Sequence, residues 1–150
     1  MVGQSLKVQL DGAPDEAVTV ASDGSLTLPA SASKVHAGYG FTGISMSMNL
    51  DIGGDRGSAQ AKVRKIRRIL PRFLDTVSAR IGSTLWNTTN LVLRSPEDFT
   101  DRPIPLFRGI EELIPEDSWT RQTKQVVMIK DTASPQTLLS MDVEVECSDP

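Results

Sequence analysis

SLKVQL, AVTVA and SLTLP, all within residues 5–33, alternate apolar and polar positions at period two, the spacing of strands that bury one face. Asp11-Gly12-Ala13-Pro14 and Asp23-Gly24 punctuate them as turns, and Ser22-Asp23-Gly24 is the clearest hairpin signal. After a glycine-rich bend, Gly38-Tyr39-Gly40-Phe41-Thr42-Gly43, the residues Ile44, Met46, Met48, Leu50 and Ile52 fall at every second position and predict a half-buried strand. Between Gly57 and Gly82 the period is ambiguous. Ala59, Ala61, Val63, Ile66, Ile69 and Leu70 partly fit a helical stripe, yet Pro71 breaks a long helix. At most one short helix near residues 58–66 is expected. Beyond Gly82, LWNTTNLVLRS reads as a strand, and Ser95–Pro115 as a loop that visits an edge strand at Ile104–Arg108. Thr123–Lys130 and Thr137–Cys147, on either side of an Asp131–Pro135 turn, read as a closing hairpin. The sum is an all-β antiparallel sandwich or barrel of about eight short strands.

The 150 residues and 16.3 kDa fit one domain, read as a single β-rich module over residues 1–150. With 39% hydrophobic and 23% charged residues the chain is neither disordered nor collagen-like, and it is expected to be a soluble globular domain. It has no apolar run long enough for a membrane span, and MVGQSLKVQLDGAP lacks the basic and apolar regions of a signal peptide. Cys147 is the lone cysteine, which excludes an intrachain disulfide and a cysteine-cluster zinc site. The net charge of −3 is unevenly spread: residues 1–55 carry −4, residues 56–80 carry +7 and residues 81–150 carry −6. A basic belt therefore sits inside an acidic chain.

Most candidate chemistry has a plainer reading. Gly38, Gly40 and Gly43 match the dinucleotide string G-x-G-x-x-G, but that motif needs a helix after it to hold pyrophosphate, and a period-two segment follows. The glycines are read as a bend or bulge. His36 is the only histidine, so no histidine pair or multi-histidine metal site exists. Cys147 ends an acidic strand that disfavours a thiolate. No nucleophile elbow, P-loop or H-E-x-x-H string occurs, and no motif calls for a cofactor. Asp142, Glu144 and Glu146 share one strand face, which fits a solvated or partner-facing row better than a cation cage. Glu111-Glu112 and Glu116-Asp117 read as loop charges, and Asn87-Thr88-Thr89 matches a glycosylation acceptor without a secretion signal. Trp86, Trp119 and Tyr39 are candidate stacking platforms for a glycan or host surface, and equally candidates for core packing.

The belt is the sharpest feature. Lys62, Arg64, Lys65, Arg67, Arg68 and Arg72 suit nucleic-acid phosphates, with salt-dependent affinity, or an acidic protein surface. Only Phe73 lies near them for base stacking, and the chain as a whole is acidic, so a protein partner ranks ahead of nucleic acid.

The order of four further strings carries a family resemblance. Val35-His36-Ala37-Gly38-Tyr39-Gly40-Phe41 is followed by Gly57-Ser58-Ala59-Gln60-Ala61-Lys62-Val63-Arg64-Lys65-Ile66, then by Pro105-Leu106-Phe107-Arg108-Gly109, then by Pro135-Gln136-Thr137-Leu138 running on to Glu144-Val145-Glu146. Over residues 6–147 this resembles the C-terminal region of the tail tube or nozzle proteins of short-tailed bacteriophages and related prophages. Members of that family are usually several times longer. The resemblance implies a structural virion component, made in the host bacterial cytoplasm, and not an enzyme. It would work by contacts with copies of itself, in a ring that is a hexamer in the nozzle case, and with other tail proteins. The ring would surround the DNA exit channel, with transient contact to phage DNA. It also implies an extended strand for Ile66–Thr76, where Pro71 fits best at an edge or bulge, and it departs from the family pattern at Arg108, where a small polar residue is usual.

Overall fold

The structure, a computed structural model, describes residues 2–13, 16–51, 53–54, 57–58, 62–98, 103–121 and 123–148. Among them there is no helix: the fold is all-β, with three antiparallel sheets of three or four strands and one two-stranded pair. The first sheet has β1 (Ser5–Leu10) between β2 (Glu16–Thr19) and β3 (Val35–Gly38). β4 (Gly43–Met46) belongs to another sheet, and β5 (Gly53–Gly54) and β6 (Gly57–Ser58) pair only with each other. The long strand β7 (Val63–Thr76) lies between β10 (Phe107–Ile110) and β12 (Thr137–Ser148). The remaining sheet runs β4, β11 (Val127–Lys130), β8 (Ser78–Gly82) and β9 (Thr88–Val92).

One apolar core joins the last two sheets: Ile66, Ile69 and Phe73 of β7 meet Ala79 and Ile81 of β8, Leu91 of β9, and Leu93, Leu113 and Val126. The N-terminal sheet buries Leu6 and Val8, together with Val20, and is tied to the segment before β12 by the Gln9 amide, which donates to Ser134 Oγ at 3.2 Å.

The ambiguous period before Gly82 has a structural cause. Buried positions on β7 run 64, 66, then 69, 71, 73, then 76, so period two is interrupted twice by a step of three. At the first interruption Arg67 and Arg68 together oppose Glu144, a β-bulge. At the second, Asp75 has φ 47 and the chain turns out of this sheet towards β8. The first of these steps places Ile66, Ile69 and Phe73 at spacings of three and four that imitate a helix. The short helix expected near residues 58–66 is not formed where the chain is described: Gly57–Ser58 and Val63–Ile66 are strand, and residues 59–61 lie outside the described set. Pro71 sits on a central strand, not at an edge. Its carbonyl accepts from Glu111 N, on the side away from β12, so the missing N–H faces the end of β10 and the β12 ladder loses no bond.

Other expectations also change. The turn at Asp23 forms, with the carboxylate accepting from Ser25 N and Oγ, but SLTLP pairs with no strand, since the second edge of β1 is occupied by β3. β3 is placed by Asp11, whose carboxylate accepts from Ser33 N and from Lys34 N at 2.7 Å. These bonds hold the Asp11 carboxyl below its usual range, the Ser33 amide having the largest effect. A group depressed in this way adds stability above its unfolded pKa and loses it as pH falls through the lower folded value. The Asp11 carboxyl is therefore expected to titrate below the usual aspartate range in a carbon-detected NMR titration, with the amide shifts of Ser33 and Lys34 following the same midpoint. A midpoint in the usual range would show that the clamp does not form.

The strand expected over Ile44–Ile52 stops at Met46. Ser47 N still donates to the Val126 carbonyl, but Val126 N turns to Ser47 Oγ at 2.9 Å, and beyond this point Met48 faces solvent while Leu50 packs on the core. Ile52 lies outside the described residues. Thr123–Lys130 and Thr137–Cys147 do form strands in part, but they are not a hairpin: β11 pairs with β4 and β8, and β12 pairs with β7. β11 buries Val127 and Ile129 in the four-stranded sheet, while β12 lays Met141, Val143 and Val145 over the other side of the core.

Candidate functional site

Most of the basic belt lies on β7, with Lys62 just before it, and its residues have different fates. Arg64 is 1% exposed and its Nη1 donates to the Leu50 carbonyl, so it serves the interior and is not presented to a partner, contrary to its grouping with the contact residues. Lys62 and Lys65 are half-buried. Arg68 is held on the β12 side by Glu144 at 2.9 Å and by Glu112 at 3.2 Å. Arg67 reaches the same Glu144 at 3.8 Å, because the bulge sets both arginines against one glutamate. Arg72 is exposed, opposite Ser140.

An acidic surface of the kind the belt was expected to meet on a protein partner is therefore present on the same chain. Asp142 stands opposite Leu70, Glu144 opposite Arg68 and Glu146 opposite Lys65. Among the described residues no group of histidine, cysteine, aspartate or glutamate side chains gathers to hold a metal ion.

Gly38 closes β3 and Gly43 opens β4, so the glycine-rich string carries the chain from one sheet to another and is followed by a strand. None of the three has positive φ. Only Gly40 is crowded, its open side lying against the Lys7 side chain at 2.8 Å from where a Cβ would stand. His36 lies on β3 and Cys147 near the end of β12, both exposed.

Sequence reasoning missed the most buried charge pair. Lys124 Nζ contacts both carboxylate oxygens of Asp117, at 2.6 and 2.8 Å, and also donates to the Ser118 carbonyl; the two side chains are 5% and 6% exposed. Asp117 Oδ2 accepts from Ile66 N at 2.7 Å, filling a place on the β7 edge that no backbone carbonyl occupies. Nothing in the spacing of a loop aspartate and a lysine seven residues on marks such a pair.

The stacking candidates are outside the core. Trp86 is 95% exposed, and Tyr39 and Trp119 are exposed as well. The Asn87 amide donates to the Glu116 carbonyl, which ties the loop carrying Leu85 and Trp86 to the segment carrying Ile114 and Trp119. These four exposed apolar side chains thus stand on two joined loops. A cleft of about 340 Å³ lies elsewhere, lined by Ala79, Leu91, Leu93, Ile104 and Ile129 with polar groups at its rim. Scanned against models of protein families, the sequence matches none, and a search of curated proteins finds no match.

Proposed function

We propose that this chain is a structural module of a bacteriophage or prophage tail, resembling the nozzle or tail tube of short-tailed phages. It acts through contacts between subunits in a ring around the DNA channel, not through catalysis. The observation that favours assembly is the outward display of large apolar side chains, Phe41, Met48, Trp86, Ile114 and Trp119 among them, on loops and strand ends. Exposed apolar side chains gathered on joined loops, as Leu85, Trp86, Ile114 and Trp119 are through the Asn87–Glu116 bond, characterise surfaces that another protein covers. The phage assignment itself rests on the sequence-order resemblance.

The test is assembly. Light scattering across a concentration series, electron microscopy and capture of other tail proteins are expected to give rings or co-assemblies. Monomer at every concentration with no tail protein bound would end the reading. The nucleic-acid alternative predicts duplex binding with a steep salt slope that drops when Lys65, Arg67 and Arg68 become Ala. The pairing of Arg67 and Arg68 with Glu144 leaves fewer cations for phosphates, so little duplex binding is expected even at low salt.

A further inference from the structure

β12 is twelve residues long and, among the described residues, has a neighbour strand on one edge only. The hydrogen bonds of β7 determine which β12 groups face the open edge. Arg64 and Ile69 exchange backbone bonds with Thr120 and Leu113, Ile66 donates to Asp117 and Pro71 accepts from Glu111. At these four positions β7 turns its backbone groups away from β12. The residues opposite them are Cys147, Val143, Val145 and Met141, which must direct their own N–H and C=O away from β7. Among the described residues none takes up these groups.

The open edge thus offers backbone donors and acceptors at every second residue, the arrangement an added strand requires. Its two faces differ. Met141, Val143 and Val145 pack on the core side, while Asp142, Glu144 and Glu146 are exposed on the other. Glu144 is engaged by two arginines, whereas Asp142 and Glu146 have no ion pair among the described residues. A second copy of β12 is a poor occupant, since the symmetric antiparallel register that pairs Met141–Cys147 along its full length sets Asp142 against Glu146 and Glu144 against its own copy, and like charges directly opposite destabilise a sheet.

We propose that the free edge of β12 docks an extended segment of a partner chain in which basic and apolar residues alternate. Its cations lie beside Asp142, Glu144 and Glu146, and its apolar residues extend the row of Met141, Val143 and Val145. This deepens the assembly reading, on which the existence of the partner rests.

The experiment is an NMR titration of the full chain with a short capped peptide alternating lysine and valine, and with its glutamate–valine counterpart. The amides of Met141, Val143, Val145 and Cys147 are expected to exchange rapidly in the free protein. They should shift and slow by about tenfold or more on adding the lysine peptide, and the glutamate peptide should bind about tenfold or more weakly. Asp142→Lys with Glu146→Lys should reverse that preference. Val143→Pro should abolish binding of both peptides while circular dichroism stays unchanged, because the lost N–H lies on the free edge. Equal binding of the two peptides, or shifts elsewhere without any at these four amides, overturns the proposal. If the chain assembles but the lysine peptide does not bind this edge, the docking edge is rejected and the assembly reading stands. Peptide binding in a chain that never assembles removes the assembly reading and keeps the edge.

Discussion

Replacing Lys124 with methionine is expected to destabilise the protein by about 3–5 kcal/mol, the cost of leaving one partner of a buried ion pair without the other. Methionine fills the aliphatic volume, but the Asp117 carboxylate remains 6% exposed with only the Ile66 amide as a described partner. The Ser118 carbonyl loses its donor too. Asp117→Asn added to Lys124→Met removes the stranded charge while keeping an oxygen for Ile66 N, so the double variant should recover about 1–3 kcal/mol relative to Lys124→Met alone. Urea unfolding of wild type, both single variants and the double variant measures this cycle. Strict additivity would mean that the pair is not coupled in solution. The damage should spread to β7, since Asp117 is the acceptor that holds the edge of that strand at Ile66.

The second large effect is expected at Gly82. It pairs with Thr88 where the loop 83–87 closes the β8–β9 hairpin. A Cβ there would stand 2.6 Å from Thr88 Cα and 2.8 Å from the Asn87 carbonyl carbon, both backbone atoms that no side-chain rotation can move. Gly82→Ala must open the hairpin and is expected to cost about 3 kcal/mol or more, a drop in Tm of roughly 10 °C for a chain of this length. Gly38→Ala is the contrast, because nothing lies within 4 Å of its Cβ position and its φ is ordinary. That variant should stay within about 0.5 kcal/mol of wild type. Thermal melting of the two side by side decides the matter; equal loss in both would show that crowding at the hairpin does not set the cost.

These two sites mark how far the sequence could be read. Gly38, Gly40 and Gly43 stand out in the sequence, since three glycines in six residues form a visible string. Gly82 is a single letter, and what makes it indispensable is the approach of Asn87 and Thr88 across a hairpin. Lys124 and Asp117 likewise look like ordinary loop charges until the chain places them together at the edge of β7. The basic belt was legible as composition. Its division into buried Arg64, the glutamate-held Arg67 and Arg68, and exposed Arg72 was not, because that division depends on a bulge and on the strand opposite.

Period two, being a local property of the backbone, determined that SLKVQL, AVTVA and the segment around Val143 are extended and which of their residues look inward. Composition determined that the chain folds without disulfides. Tertiary structure alone decided which strands pair. It sent β11 and β12 to different sheets although they adjoin in sequence, and it set the acidic row of β12 beside the cations of β7. The physical reason is that a strand satisfies its backbone only through a neighbour that can be distant along the chain, so alternation specifies a face while the competition for shared core volume specifies the partner. That competition used one edge of β12 against β7 and left the other without a strand among the described residues.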